Sequence, residues 1–179
     1  MGRYRRYSRS RTPYRRQNAQ KIWTPSNEAF TIASAPAKGD TYLVSNIAPK
    51  GGTVDNHTLL RQRGEFIIDF GSNPATAATG WIFGIVLPDL VYGNNNPGDK
   101  LDNAPNPADG DGTDDFPLCQ PLCVIPTTAV TNLPIDSKAK RIIDNDKLLS
   151  LCIHFTSVGT ANTKIALTLR TLFQERIFD

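Results

Sequence analysis

Beyond Ile22 the apolar residues fall in short runs with a two-residue period, and Pro, Gly and Asn cut the runs apart. That texture predicts strands, because successive side chains of a strand point to opposite faces. Phe30–Ser34 and Thr41–Ile47 are bounded by Pro36, Gly39 and Pro49. Phe66–Phe70 (FIIDF) and Trp81–Leu87 (WIFGIVL) carry denser apolar runs, the second ended by Pro88-Asp89. Leu148–Thr156 (LLSLCIHFT) and Lys164–Phe173 (KIALTLRTLF) are the clearest, the latter alternating through Ile165, Leu167 and Leu169. Thr171 takes the next inward position and the large apolar residues shift to Leu172, which predicts a bulge or a strand end near Arg170–Thr171. Ser157–Asn162 reads as a turn, so the last two strands are expected to form a hairpin. One short helix at most is expected, over Asp136–Leu149 (DSKAKRIIDNDKLL), with Asp136 as N-cap and apolar residues at Ile142, Ile143 and Leu149; the stretch reads equally as a turn leading into a strand. Tyr92–Pro117 has almost nothing to bury and is expected to project as a long surface loop over residues 93–116.

Strands at short intervals, little helix and one long loop give an all-β class, an antiparallel β-sandwich, of which the eight-stranded jelly roll is one member. The 179 residues are enough for one sizeable domain and a tail, and the 39% hydrophobic content allows a packed core. No run approaches the ~20 apolar residues of a membrane helix, so membrane insertion is not expected. The charged N-terminus has no apolar segment behind it, unlike a secretory signal, and Pro13 disfavours an amphipathic targeting helix.

Charge distribution changes the picture more than the net +3 does. Residues 1–21 (MGRYRRYSRSRTPYRRQNAQK) hold Arg3, Arg5, Arg6, Arg9, Arg11, Arg15, Arg16 and Lys21 and no acid, which is 8 of the 20 basic residues. The remaining 12 basic residues face 17 acidic ones, so residues 22–179 are mildly acidic. With so little to bury, the arm cannot offset its ordering entropy and is expected to be disordered when free. Guanidinium groups grip phosphate bidentately, and Tyr4, Tyr7 and Tyr14 can stack on unpaired bases. An arm without fixed geometry cannot read base edges, so the expected partner is single-stranded nucleic acid bound largely without sequence preference. If all eight charges engage, log K falls against log salt with a slope of about −5 to −6. The same stretch is compatible with a nuclear localisation signal.

Other candidate chemistry is sparse. Asp109, Asp111, Asp114 and Asp115 lie in DGDGTDD, but an EF-hand's twelfth-position Glu is missing and no flanking helices are evident. A solvated surface loop is the expected reading and a divalent-ion site the alternative. Cys119, Cys123 and Cys152 are an odd set without a second short-spaced pair, hence structural thiols rather than a zinc site. His57 has no nucleophile in an elbow motif nearby, and His154 sits inside an apolar strand. No phosphate-cradling Gly loop is present, since Gly51-Gly52 lacks the lysine and helix context. Neither catalysis nor a cofactor is expected.

MGRYRRYSRSRTPYRR followed by a β-rich body resembles the coat proteins of small circular single-stranded DNA viruses that encode a replication initiator, such as circoviruses and nanoviruses. LLSLCIHFTS followed by KIALTLRTLFQERIF is similar to the last two strands of their jelly rolls. The resemblance implies self-assembly into a T=1-like icosahedral shell of about sixty copies, found in the virion and in the host nucleus during assembly. The arms would point inward onto a single-stranded DNA genome, or onto RNA in recombinant expression, and import and cell-surface receptors of the host would be further partners. About 480 arm charges would then neutralise only part of a genome longer than roughly five hundred nucleotides. The competing reading is a non-viral, sequence-independent nucleic-acid-binding β-domain with a basic tail, which would carry basic and aromatic residues on its folded body as well.

Overall fold

The computed structural model describes residues 20–49, 56–71, 78–88, 93–102, 121–122, 130–138, 140–144 and 147–176. Among these residues there are nine strands and no helix: β1 (Lys21–Ile32), β2 (Thr41–Ile47), β3 (Asn56–Asp69), β4 (Gly80–Pro88), β5 (Pro121–Leu122), β6 (Val130–Ser137), β7 (Arg141–Asp144), β8 (Lys147–Phe155) and β9 (Thr163–Arg176). They form two antiparallel sheets. The first runs β1-β9-β3-β6, with β7 continuing beside β3, and the second runs β2-β8-β4-β5. The chain is an all-β protein with the sheets facing one another across a common core, as a β-sandwich requires.

β2 occupies the stretch its pattern predicts, while β1 and β3 begin well before their apolar runs. Cross-strand pairing carries them further: β1 is bonded to β9 without a break from Lys21↔Gln174 to Ile32↔Thr163. The expected hairpin does not form. β8 lies in the second sheet between β2 and β4, and β9 lies in the first between β1 and β3. Both are interior strands with two neighbours each, so Thr156–Asn162 crosses between sheets rather than turning within one. Gly159 N–H donates to the Pro36 carbonyl at 2.8 Å, and Asn162 turns in the left-handed region at φ 61°.

Over Asp136–Leu149, read either as a short helix or as a turn leading into a strand, the described residues form strands and no helix. β6 follows β3 over Gln62–Asp69 and β7 follows it over Asn56–Leu59, so β3's free edge is bonded along nearly its whole length. Ile143 is fully buried there while Ile142 is 49% exposed, an alternation that a helical reading of adjacent isoleucines misses. The slip expected in β9 is also absent. Thr171 and Phe173 continue the inward row at 0% exposure, and the irregularity lies across the ladder in β3, where Leu59 faces Phe173 and Arg61 faces Leu172. Leu60 is the extra residue of that bulge, and it switches β3's inward set from His57 and Leu59 to Gln62, Phe66 and Ile68. Just beyond it, β3 and β9 approach so closely that a Cβ on Gly64 would collide with the Thr168 carbonyl oxygen.

The main core joins both sheets through Leu59, Phe66, Ile68, Ile165, Leu167, Leu169 and Phe173 from the first and Val44, Ile82, Leu149, Leu151, Ile153 and Phe155 from the second. A second cluster lies on the outer side of the second sheet, where Leu43, Phe83, Ile85 and Cys152 pack with Leu101. The described start of the expected surface loop therefore folds back instead of projecting. Gly98 N–H donates to the Leu43 carbonyl, Leu43 N–H to Asp99 and Leu101 N–H to Thr41, all within 2.9 Å, and Lys100 pairs with Asp40 at 2.8 Å. This segment bonds along β2 and buries Leu101 in the cluster.

Candidate nucleic-acid interface

Of the arm residues that sequence singles out, only Lys21 is described; it is the exposed first residue of β1. Arg3, Tyr4, Arg5, Arg6, Tyr7, Arg9, Arg11, Tyr14, Arg15 and Arg16 lie outside the described residues, as do Asp109, Asp111, Asp114, Asp115, Cys119 and Cys123. The arm nevertheless has a known point of attachment. The Gln20 carbonyl accepts from Glu175 N–H at 3.0 Å, so the chain enters the first sheet along β9 at that position.

β1 is an edge strand, and its alternation turns Thr24, Ser26 and Glu28 inward and Trp23, Pro25, Asn27, Ala29 and Thr31 outward. An edge tolerates Pro25, whose missing N–H faces away from the ladder. The registers of β9, β3 and β6 then set out the outer face in rows. Lys21 stands opposite Gln174, which stands opposite Thr58; Trp23 opposite Leu172 and Leu172 opposite Arg61; Pro25 opposite Arg170, Arg170 opposite Arg63, and Arg63 opposite Asp136. Trp23, Pro25, Arg63, Gly64 and Arg170 line an open groove of about 670 Å³, and Trp23 is 46% exposed.

Charge is divided unevenly over this face. The half nearest the arm holds Lys21, Arg61, Arg63 and Arg170 against Asp136 and, at its margin, Asp144, which pairs with Lys147; the far half holds Lys164 against Glu65 and Asp69. Asp136 is committed to Arg61, accepting from its Nε at 2.9 Å and its Nη2 at 2.8 Å, and that bond holds its carboxyl below the ordinary range. Arg63 and Arg170 are direct cross-strand neighbours, and among the described residues neither has an ion-pair partner. Like charges placed opposite each other on a sheet face oppose folding. A face built this way suits an anion.

Beneath the groove, the inner side of the same sheet is polar. Thr24, Thr171 and Gln62 form one buried row, and His57 lies opposite Glu175 with its ring edge-on to Phe173 at 6.3 Å. Among the described residues, Thr24 Oγ1, Gln62 Oε1 and both His57 ring nitrogens have no hydrogen-bond partner. Burial pushes the His57 pKa below its ordinary value, against an opposing pull from Glu175. His154, by contrast, is bonded through Nδ1 to Thr41 Oγ1 at 2.8 Å. Among the described residues no three His, Cys, Asp or Glu side chains gather as a metal site would need.

Trp23, Arg63 and Arg170 were not singled out by sequence. Each occupies an outward slot of a legible alternation, but only the register joins positions 23, 63 and 170. Compared with known protein families and with curated proteins, the chain matches none.

Proposed function

We propose that this chain is the coat subunit of a small single-stranded DNA virus, closing into an icosahedral shell of about sixty copies and packaging its genome through the arginine-rich arm, which doubles as a nuclear localisation signal. The observation that carries the reading is the place where the arm joins the body. It enters at the cationic, aromatic end of a sheet face left open, while the outer side of the opposite sheet is buried by the chain itself. An arm so attached delivers nucleic acid to one side of the subunit, as a shell with an inside and an outside needs.

The strand order supports a jelly roll. If β6 and β7 are counted as one interrupted strand along β3, the first strand pairs with the last, the second with the next to last, the third with β6/β7 and β4 with β5. That is the pairing of a long hairpin rolled into two sheets, the arrangement of many viral shell domains. The second reading is a non-viral nucleic-acid-binding domain with a basic tail, and the Trp23, Arg63 and Arg170 cluster favours it specifically, since such a domain carries its cations on the folded body too. Imaging the expressed full-length chain decides between them. Closed particles of uniform diameter that contain nucleic acid are expected; a monomer that persists at high concentration sinks the coat reading. Deleting residues 1–19, which stops short of β1, is expected to remove most of the nucleic-acid content while the β-domain stays folded, and unchanged content would refute the arm's role.

A further inference from the structure

We propose that the arm-side half of the first sheet's outer face is a single-stranded nucleic-acid platform, on which Trp23 stacks a base while Arg63 and Arg170 hold the adjoining phosphates. This deepens the packaging reading and rests on it. Three features of the face point to the same ligand. Trp23 is half exposed beside Leu172 and Pro25, leaving an indole surface free on an edge strand. The two arginines stand directly opposite each other, and among the described residues neither is in an ion pair, the neighbouring Asp136 being bonded to Arg61. The groove these residues line opens two positions along β1 from Lys21, so nucleotides held by the arm need no detour to reach it.

An aromatic ring next to paired cations is the chemistry of sequence-tolerant single-strand binding: every base has a π-face, and the guanidinium pair spans neighbouring phosphates. A duplex, whose bases are already stacked, offers the indole nothing. A second copy of the chain fits poorly, because pairing the face with itself sets Arg63 and Arg170 against their own equivalents. The division of labour follows: the arm supplies long-range, geometry-free attraction, and the platform holds individual nucleotides at a fixed place on the subunit.

The test uses the full-length chain below its assembly concentration, with fluorescent single-stranded oligonucleotides of about ten nucleotides and abasic oligonucleotides of equal length. Trp23→Ala is expected to weaken binding about tenfold or more with an unchanged salt slope, while Trp23→Phe restores most of the affinity. The abasic probe is expected to bind the wild type at least as weakly as the intact probe binds Trp23→Ala, and to be insensitive to that substitution. Arg63→Gln with Arg170→Gln is expected to flatten the slope by about 1.4, the loss of two phosphate contacts to a single strand. All positions are on the exposed face, and circular dichroism verifies folding. Unchanged affinity and slope in every variant, with particles still forming, overturns the platform and leaves the coat reading standing. Loss of particles in the wild type, with these variant effects present, overturns the coat reading and supports the platform. Variants that block assembly but bind normally mark a contact between copies and overturn the proposal.

Discussion

The two sheets share a core but treat their outer faces in opposite ways. On the second sheet, Leu43, Phe83, Ile85 and Cys152 are each no more than 1% exposed, and Leu101 packs with them. On the first sheet, the corresponding side carries Trp23, Arg63, Thr168 and Arg170 in the open. Their inner faces differ as well, since the first sheet places Thr24, Gln62, Thr171, His57 and Glu175 at its arm end, where the second turns Ile153 and Phe155 toward the same core. Apolar burial on both sides stabilises one sheet. The other sets like charges opposite each other on its outer face and buries polar atoms without partners among the described residues on its inner one, features that oppose folding.

The sharpest way to break this contrast is to truncate one residue on each outer face. Phe83→Ala removes a fully enclosed ring and is expected to cost about 3–5 kcal/mol, lowering the melting temperature by roughly 6–20 °C. Thr168→Ala, on the open face opposite Asn27 and Glu65, is expected to change stability by less than about 1 kcal/mol. Thermal unfolding of the two variants reads both numbers. Comparable losses would mean that the first sheet's outer side is a packed surface after all.

This contrast was only half legible in the chain. The alternation of KIALTLRTLF gives away β9 and even its outward slots, Thr168 and Arg170, because period two is a local property. What alternation cannot state is which strand lies beside which. The hairpin expected from Ser157–Asn162 failed because β8 and β9 each find two other neighbours. The bulge was expected in β9 and lies in β3, since a phase change between two strands can be absorbed by either. Leu101 was hidden for a related reason: one apolar residue in a polar loop carries no periodicity, and only the hydrogen bonds to β2 bring it onto the second cluster. The polycationic arm was plain from charge alone, whereas its continuation on the body had to wait for the register.

A smaller effect separates the inner faces. The pKa of His57 lies below its ordinary value in the folded chain, chiefly through burial, with Glu175 opposing. Between that lowered value and the unfolded value near 6.5, the unfolded chain binds the proton and the folded chain does not, so stability falls as pH drops below about 6.5. One proton gives a slope no steeper than about 1.4 kcal/mol per pH unit, and ordinary carboxylates titrate lower. His57→Gln is expected to flatten the fall in denaturant-measured stability as pH drops below about 6.5. An unchanged slope would place the titration elsewhere.

The smallest expected effect tests geometry against bulk charge. Each side of the molecule has a cation held by an aspartate: Arg61 by Asp136 on the open face, and Lys100 by Asp40 beside the covered one. Asp136→Asn releases Arg61 within reach of the Arg63 and Arg170 groove, so it is expected to steepen the salt dependence of single-strand binding by up to about 0.7 and to tighten binding about twofold at low salt, a gain that fades as salt screens it. Asp40→Asn changes net charge by the same amount, while also removing hydrogen bonds to Ala37 N–H and the Tyr42 hydroxyl. It is expected to leave the salt slope where it was, because Lys100 is tied to β2 in the other sheet. Equal responses to the two substitutions would mean that nucleic acid senses only the total charge of the body, and the difference between the faces would then have no part in binding.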